Sequence, residues 1–195
     1  MMDKVQVFAA KISNQRHLIA LRDGMASVMP LIIIGSIFML IGNFPVPAFT
    51  DWLDNIGLLQ FFNKASDSTF GMIGLGVTFS IAYNLAKRYK VDALSAGLIA
   101  ISAFVILTPI LQSEAGNGFP TKYLGSSGLF VGIIVSIVST EMFQWFVKRN
   151  ITIKMPDTVP PNVSRAFTAI VPGFFIILAW FFILIFLHYT GIDDI

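Results

Sequence analysis

Few side chains here could do acid–base, metal or covalent chemistry, and most of those sit near the ends of long apolar runs. The absence of cysteine removes disulfides, thiolate metal ligands and a thiol nucleophile or phosphocysteine together. His17 and His188 have neither a second histidine nor a carboxylate at a metal-ligand spacing. No catalytic residue, metal or cofactor is therefore expected. Glu141 is the one acid near the end of an apolar run without an adjacent base, and intramembrane carboxylates can couple proton or ion movement. Because Lys148 and Arg149 follow one to two helical turns later, snorkelling to the interface or pairing with those bases is the expectation.

Small residues form the other pattern. Gly128, Gly132, Ser136 and Thr140 recur at steps of four, which lets helix backbones approach closely in lipid. Such a stripe serves either packing within one bundle or a dimer interface, packing being the commoner use. Ala169 and Gly173 repeat it more weakly. Gly71, Gly74 and Gly76 echo a dinucleotide-binding fingerprint, but that motif needs a preceding strand in a soluble βαβ unit. Here the glycines open an apolar run, so helix packing or a local kink is expected.

The elements that carry these residues follow from composition. Only 12% of residues are charged, against about 25% in an ordinary soluble domain. Hydrophobic residues make up 55%, more than a soluble core of 195 residues can hide, and 19 Phe exclude a disordered chain. The net charge of +2 is too small to suggest a nucleic-acid partner. An all-α integral membrane protein remains. Crossing about 30 Å of hydrocarbon takes roughly 20 helical residues, and five spans meet that length: 24–43, 68–86, 93–112, 123–146 and 166–188. Barrel strands would be shorter and strictly alternating.

Charge orients the spans. Lys4, Lys11, Arg16 and Arg22 precede the first. Lys87, Arg88 and Lys90 lie between the second and third, and Lys148, Arg149, Lys154 and Arg165 lie in the loop 147–165. Only Lys64 and Lys122 of the 13 bases fall on the other side. The N-terminus is thus expected in the cytoplasm and the end of this chain outside. The sequons at Asn150 and Asn162 then fall in a cytoplasmic loop and stay silent. Residues 1–23 form a separate N-terminal unit, with Val5, Phe8, Ala9, Ile12 and Ile19 at helical spacing. They read as an amphipathic helix lying on the cytoplasmic leaflet, not a cleaved signal peptide. In loop 147–165, Asn150-Ile-Thr-Ile-Lys-Met alternates like a short strand, and three prolines then stiffen the path into the fifth span.

Several segments resemble the lactose/cellobiose family of sugar phosphotransferase-system (PTS) membrane components, the IIC permeases. They are Gln15-Arg-His-Leu, Arg22-Asp-Gly, Met29-Pro-Leu, Lys90-Val-Asp-Ala-Leu-Ser-Ala-Gly-Leu running on to Leu107-Thr-Pro, Tyr123-Leu-Gly-Ser-Ser-Gly-Leu-Phe-Val, and Asn150-Ile-Thr-Ile-Lys-Met-Pro-Asp-Thr-Val-Pro-Pro-Asn-Val. The likeness runs in order along nearly the whole chain.

The resemblance implies a homodimeric permease of about ten helices in the bacterial inner membrane. Its first five helices form the scaffold, and its second half holds a sugar-binding His and Glu. A cytoplasmic IIB partner phosphorylated on Cys would donate its phosphoryl group to an incoming β-linked disaccharide such as cellobiose, lactose or chitobiose. Neither His17 nor His188 matches the family's sugar-site motif, so no substrate residue is assigned. The chain is read as the scaffold half of such a permease, supplying dimerisation and anchoring rather than the sugar site. A self-standing membrane scaffold or assembly subunit, and a small transporter acting as an oligomer, are the alternatives.

Overall fold

The computed structural model describes residues 15–113, 116–156 and 158–190. Two long rods carry the first half. Helices α1 (Arg16–Ser27) and α2 (Met29–Gly42) follow each other with a break at Val28. Pro30 causes the break, since it lacks the N–H that would bond the carbonyl of Ala26. A short helix, α3 (Pro47–Asn55), begins at a proline whose missing donor costs nothing in the first turn. Helices α4 (Leu59–Phe70) and α5 (Ile73–Tyr89) form the second rod, interrupted at Gly71 and Met72. Of the two uses expected of the glycine cluster, the helix is interrupted at Gly71, and Gly74 packs against the Leu124 and Gly125 carbonyls.

Helix α6 (Ala93–Leu107) starts at Asp92, whose carboxylate accepts from the Ser95 amide at 3.3 Å, an N-cap. It stops at Thr108-Pro109, where the residue before proline is driven out of helical geometry. A small antiparallel hairpin follows, β1 (Leu111–Ser113) with β2 (Gly116–Gly118), Gln112 facing Asn117. One turn, α7 (Thr121–Leu124), and a 3-10 turn (Ser126–Gly128) lead into α8 (Leu129–Lys148). The last helix, α9 (Pro161–Tyr189), contains the fully buried Pro172.

The centre is α5, which packs against α1, α6 and α8, while α9 closes the bundle against α6 and α8. Ala96, Ala103, Phe104, Val135, Phe143 and Ile176 form one apolar cluster, and Val28, Ile73, Val77 and Ile81 form the second. The α2 helix packs instead on α4. Large apolar side chains remain exposed along α2 and α9, among them Ile33 at 62% and Phe186 at 67%. That distribution suits a chain whose outer solvent is hydrocarbon.

Four helical stretches are long and apolar enough to cross a membrane: Arg16–Gly42, Leu59–Tyr89, Ser126–Lys148 and Val163–Tyr189. The expected third span, 93–112, is shorter. It is helical only over the 15 residues Ala93–Leu107, about 22 Å at 1.5 Å per residue. The strand expected from Asn150 pairs with no described residue. Asn150 instead takes φ 57° just past the end of α8, and Ile151 donates back to the Phe146 carbonyl at 3.0 Å, which closes the helix. Of the helix expected on the leaflet, residues 1–14 lie outside the described residues. Residues 16–23 belong to α1, which runs unbroken to Ser27.

Candidate functional site

Among the described residues, the bases that sequence patterning put on one side converge at one end of the bundle, where α5 and α8 finish and α1, α6 and α9 begin. Both finishing helices close in the same way. Lys90, at φ 59°, follows α5, and the Val91 amide donates to the Ala86 carbonyl at 3.1 Å, just as Ile151 does beyond Asn150. The left-handed residue turns each chain sharply away from its helix, and the packing of α5 on α8 leaves their last residues, Tyr89 and Lys148, close together.

Glu141 organises this end. Its Oε1 lies 2.7 Å from His17 Nε2 and also accepts from the Tyr89 hydroxyl, while Gln144 Nε2 donates to Oε2 at 3.2 Å. The loop bases expected as partners do otherwise. Lys148 lies over the Tyr89 ring, with Nζ 4.7 Å from its centroid, and Arg149 lies 4.5 Å over the Trp145 ring. Arg16 approaches the Tyr89 ring at 5.6 Å, so cation–π contacts join α1, α5 and α8. Nearly two turns further along α1, Asp23 takes Arg88 at 2.6 Å and Arg22 at 2.9 Å. A carboxylate thus ties α1 to α5, and Glu141 ties α1 to both α5 and α8. His17 lies 124 positions from its partner. No spacing rule in the sequence reveals such a contact.

Beside this network lies a cleft of about 520 Å³ lined by Tyr83, Lys90, Asp92, Phe143, Arg165 and Thr168. Ammonium, guanidinium and hydroxyl donors face a carboxylate there, and the Asp92 carboxylate also accepts from the Ser95 hydroxyl. This set can hydrogen-bond a phosphorylated or polyhydroxylated group.

The small-residue stripe lies inward. A side chain at Gly132 would collide with the Thr78 hydroxyl on α5, and one at Gly128 with the Tyr123 carbonyl and the Phe104 ring. Ser136 and Thr140 are fully buried, and the Thr140 hydroxyl donates to the Ser136 carbonyl at 2.7 Å. All four residues of the stripe pack inside this chain. Trp180 of α9, which the pattern did not single out, donates its indole N–H to Ser139 Oγ at 2.9 Å in the buried core. At the other end, the His188 and Tyr189 rings meet edge to face, 5.9 Å apart. Among the described residues no group of three or more His, Asp or Glu could hold a metal ion.

Relatives match over nearly all of this chain. The lichenan permease IIC component of Bacillus subtilis (strain 168) is 44% identical over 91% of this chain and 42% of its own length. The cellobiose-specific EIIC component of Geobacillus stearothermophilus is 42% identical over 88% of this chain and 41% of its own. Among solved structures, ChbC, the IIC component of the N,N'-diacetylchitobiose-specific phosphotransferase system, superposes with a TM-score of 0.83 at 37% identity. That match covers 94% of this chain and 46% of ChbC. The chain therefore spans less than half the length of these relatives. Residues 22–191 match the family described as Phosphotransferase system, EIIC, and with that match, these relatives and the fold shared with ChbC, the chain belongs to the EIIC family, in its lactose/cellobiose group.

Proposed function

We propose that this chain is the N-terminal part of a PTS sugar permease that takes up β-linked disaccharides of the cellobiose, lactose or chitobiose type. A IIB partner would phosphorylate the sugar on delivery. The observation that carries this reading is the 37% identity to ChbC across 94% of the chain, at a TM-score of 0.83. In this reading the chain supplies the scaffold and the dimer contact, and the sugar-binding His and Glu lie in sequence beyond it. Its N-terminus is cytoplasmic, and α6 completes a fifth span with the hairpin at its outer end. The basic end would face the phosphoryl donor, with the cleft at Lys90 and Arg165 open to the cytoplasm. The buried position of Gly128, Gly132, Ser136 and Thr140 favours packing within the protomer for that stripe. The dimer contact then falls on another face.

An antibody against residues 148–165 and a gene deletion test this together. A native polypeptide near twice 21.5 kDa, with loss of cellobiose phosphate accumulation on deletion, is expected. A native band at 21.5 kDa, unchanged uptake on deletion and co-purification of an unrelated membrane protein would instead establish the scaffold or assembly subunit.

A further inference from the structure

The end of the molecule remote from the basic cluster carries a polar surface where a membrane helix should be apolar. Gln60, Asn63, Lys64, Asp67 and Ser68 of α4 are all exposed and follow the spacing i, i+3, i+4, i+7, i+8, which puts them on one helical face. Leu59, Phe62, Thr69 and Phe70 occupy the opposite face and meet α2. With Met72 and Thr121, the polar residues line a groove of about 390 Å³.

The depth of this stripe follows from the pairing of the two helices. Gly35 of α2 lies against Thr69 and Phe70, and Gly42 lies against Asn63, Phe62 and Leu59. Asp67 and Ser68 therefore sit beside the middle of α2, about 6–9 Å short of its end at 1.5 Å per residue. At that same level α2 exposes Ile33, Ile34, Ile37 and Leu40. One side of the pair is thus fit for lipid tails, and the other is not. Charged and amide groups at such depth face water or a polar partner. Among the described residues they are satisfied only in part. Ser68 donates to the Lys64 carbonyl and Gln60 to the Gly57 carbonyl, but the Asn63, Lys64 and Asp67 side chains hydrogen-bond and ion-pair with no described residue.

We propose that this face of α4 lines an aqueous vestibule that admits an uncharged polyhydroxy solute from the side opposite the basic end. Lys64 and Asp67 cancel in charge, so the groove selects neither anions nor cations. Its amides, hydroxyl, ammonium and carboxylate both donate and accept, as sugar hydroxyls require. The identity of the solute rests on the permease reading above; access of water to α4 does not.

This chain contributes no cysteine, and any cysteine elsewhere in the full-length protein would first be replaced by serine. Asn63→Cys, Asp67→Cys and Ser68→Cys, with Ile37→Cys as the lipid-facing control, would be made in the native full-length protein. Intact cells are then treated with a membrane-impermeant cationic methanethiosulfonate, with and without cellobiose, lactose or chitobiose. The expected result is modification of positions 67 and 68 at least tenfold faster than position 37, slowed twofold or more by at least one of these sugars. Two results would overturn the vestibule, namely rates at 67 and 68 no faster than at 37, or efficient disulfide-linked dimers of Ser68→Cys showing that a second copy covers the stripe; fast modification unaffected by cellobiose, lactose and chitobiose would overturn the assignment of the solute. If cellobiose protects while the cells form no cellobiose phosphate, the vestibule stands and the phosphotransfer reading falls.

Discussion

The same two rods, α1–α2 and α4–α5, are built differently on either side of their breaks at Val28 and Gly71-Met72. Towards the basic end, α1 meets α5 so closely that a side chain at Gly24 would lie 2.8 Å from the Ile81 backbone. There α5 buries Val77, Thr78, Ile81, Ala82, Leu85 and Ala86. Away from it, α2 buries only Gly35 and Gly42, and α4 only Ser66. Small residues in a membrane protein allow the backbone approach that replaces a hydrophobic driving force. Both halves use them, Gly24 between α1 and α5 and Gly35 between α2 and α4. The difference is that α5 is also packed by α6 and α8, whereas the α2–α4 arm leaves its outer surfaces for lipid on one side and, in our proposal, for water on the other.

The strongest way to break this contrast is to insert volume on each side of it. Gly132→Val drives a β-branched side chain against Thr78 between α8 and α5 and should cost about 3 kcal/mol. Ser68→Val, on the exposed face of the arm, should stay within about 0.5 kcal/mol. Thermal unfolding of the detergent-solubilised protein measures both, and equal losses would erase the distinction. The next effect concerns the buried Trp180–Ser139 hydrogen bond. Ser139→Ala strands an indole N–H and should cost about 2 kcal/mol. Combining it with Trp180→Phe should cost about 1 kcal/mol less than the two single changes added together. Strict additivity would remove this bond from the account of the core.

A smaller effect is expected at Glu141. Glu141→Gln keeps the shape and an acceptor for the Tyr89 hydroxyl but removes the charge facing His17. With both side chains part-exposed, a loss of about 1 kcal/mol is expected. Its signature is local: amide exchange should rise in the first turns of α1 and stay unchanged in α2 and α4. Equal changes in all three would mean that Glu141 supports the whole bundle rather than the attachment of α1.

How far the sequence reached depends on the range of the interaction. The all-helical membrane character, a break at Gly71 and the gathering of the described bases at one end were legible because hydropathy, glycine and charge act locally or through the membrane. The third span was overestimated because uncharged residues continue to Ser113, while Pro109 ends the helix at Leu107. The extended reading of Asn150 failed because period-two alternation over six residues cannot be told from a helix end followed by coil. The contacts made by Glu141 and Trp180 were beyond reach, since each joins helices whose relative rotation no local pattern sets. The polar face of α4 was present in the sequence at helical spacing. With the second span expected to start at residue 68, the helical stretch before it, Leu59 onward, was not anticipated.

The smallest effect separates two reasons for keeping Lys90. A left-handed conformation costs an L-residue about 1 kcal/mol and glycine almost nothing. Glycine also gains entropy in the unfolded chain, so Lys90→Gly should stabilise by about 0.5 kcal/mol. Asn150 holds the same geometry after α8, but asparagine tolerates it, so Asn150→Gly should gain less. If both changes are neutral for cellobiose phosphate accumulation, the two residues serve only to end their helices. If Lys90→Gly stabilises the protein and still depresses accumulation, its ammonium is kept for the cleft it shares with Asp92 and Arg165. The strain would then belong to the site, since a residue better suited to the turn would carry no charge there.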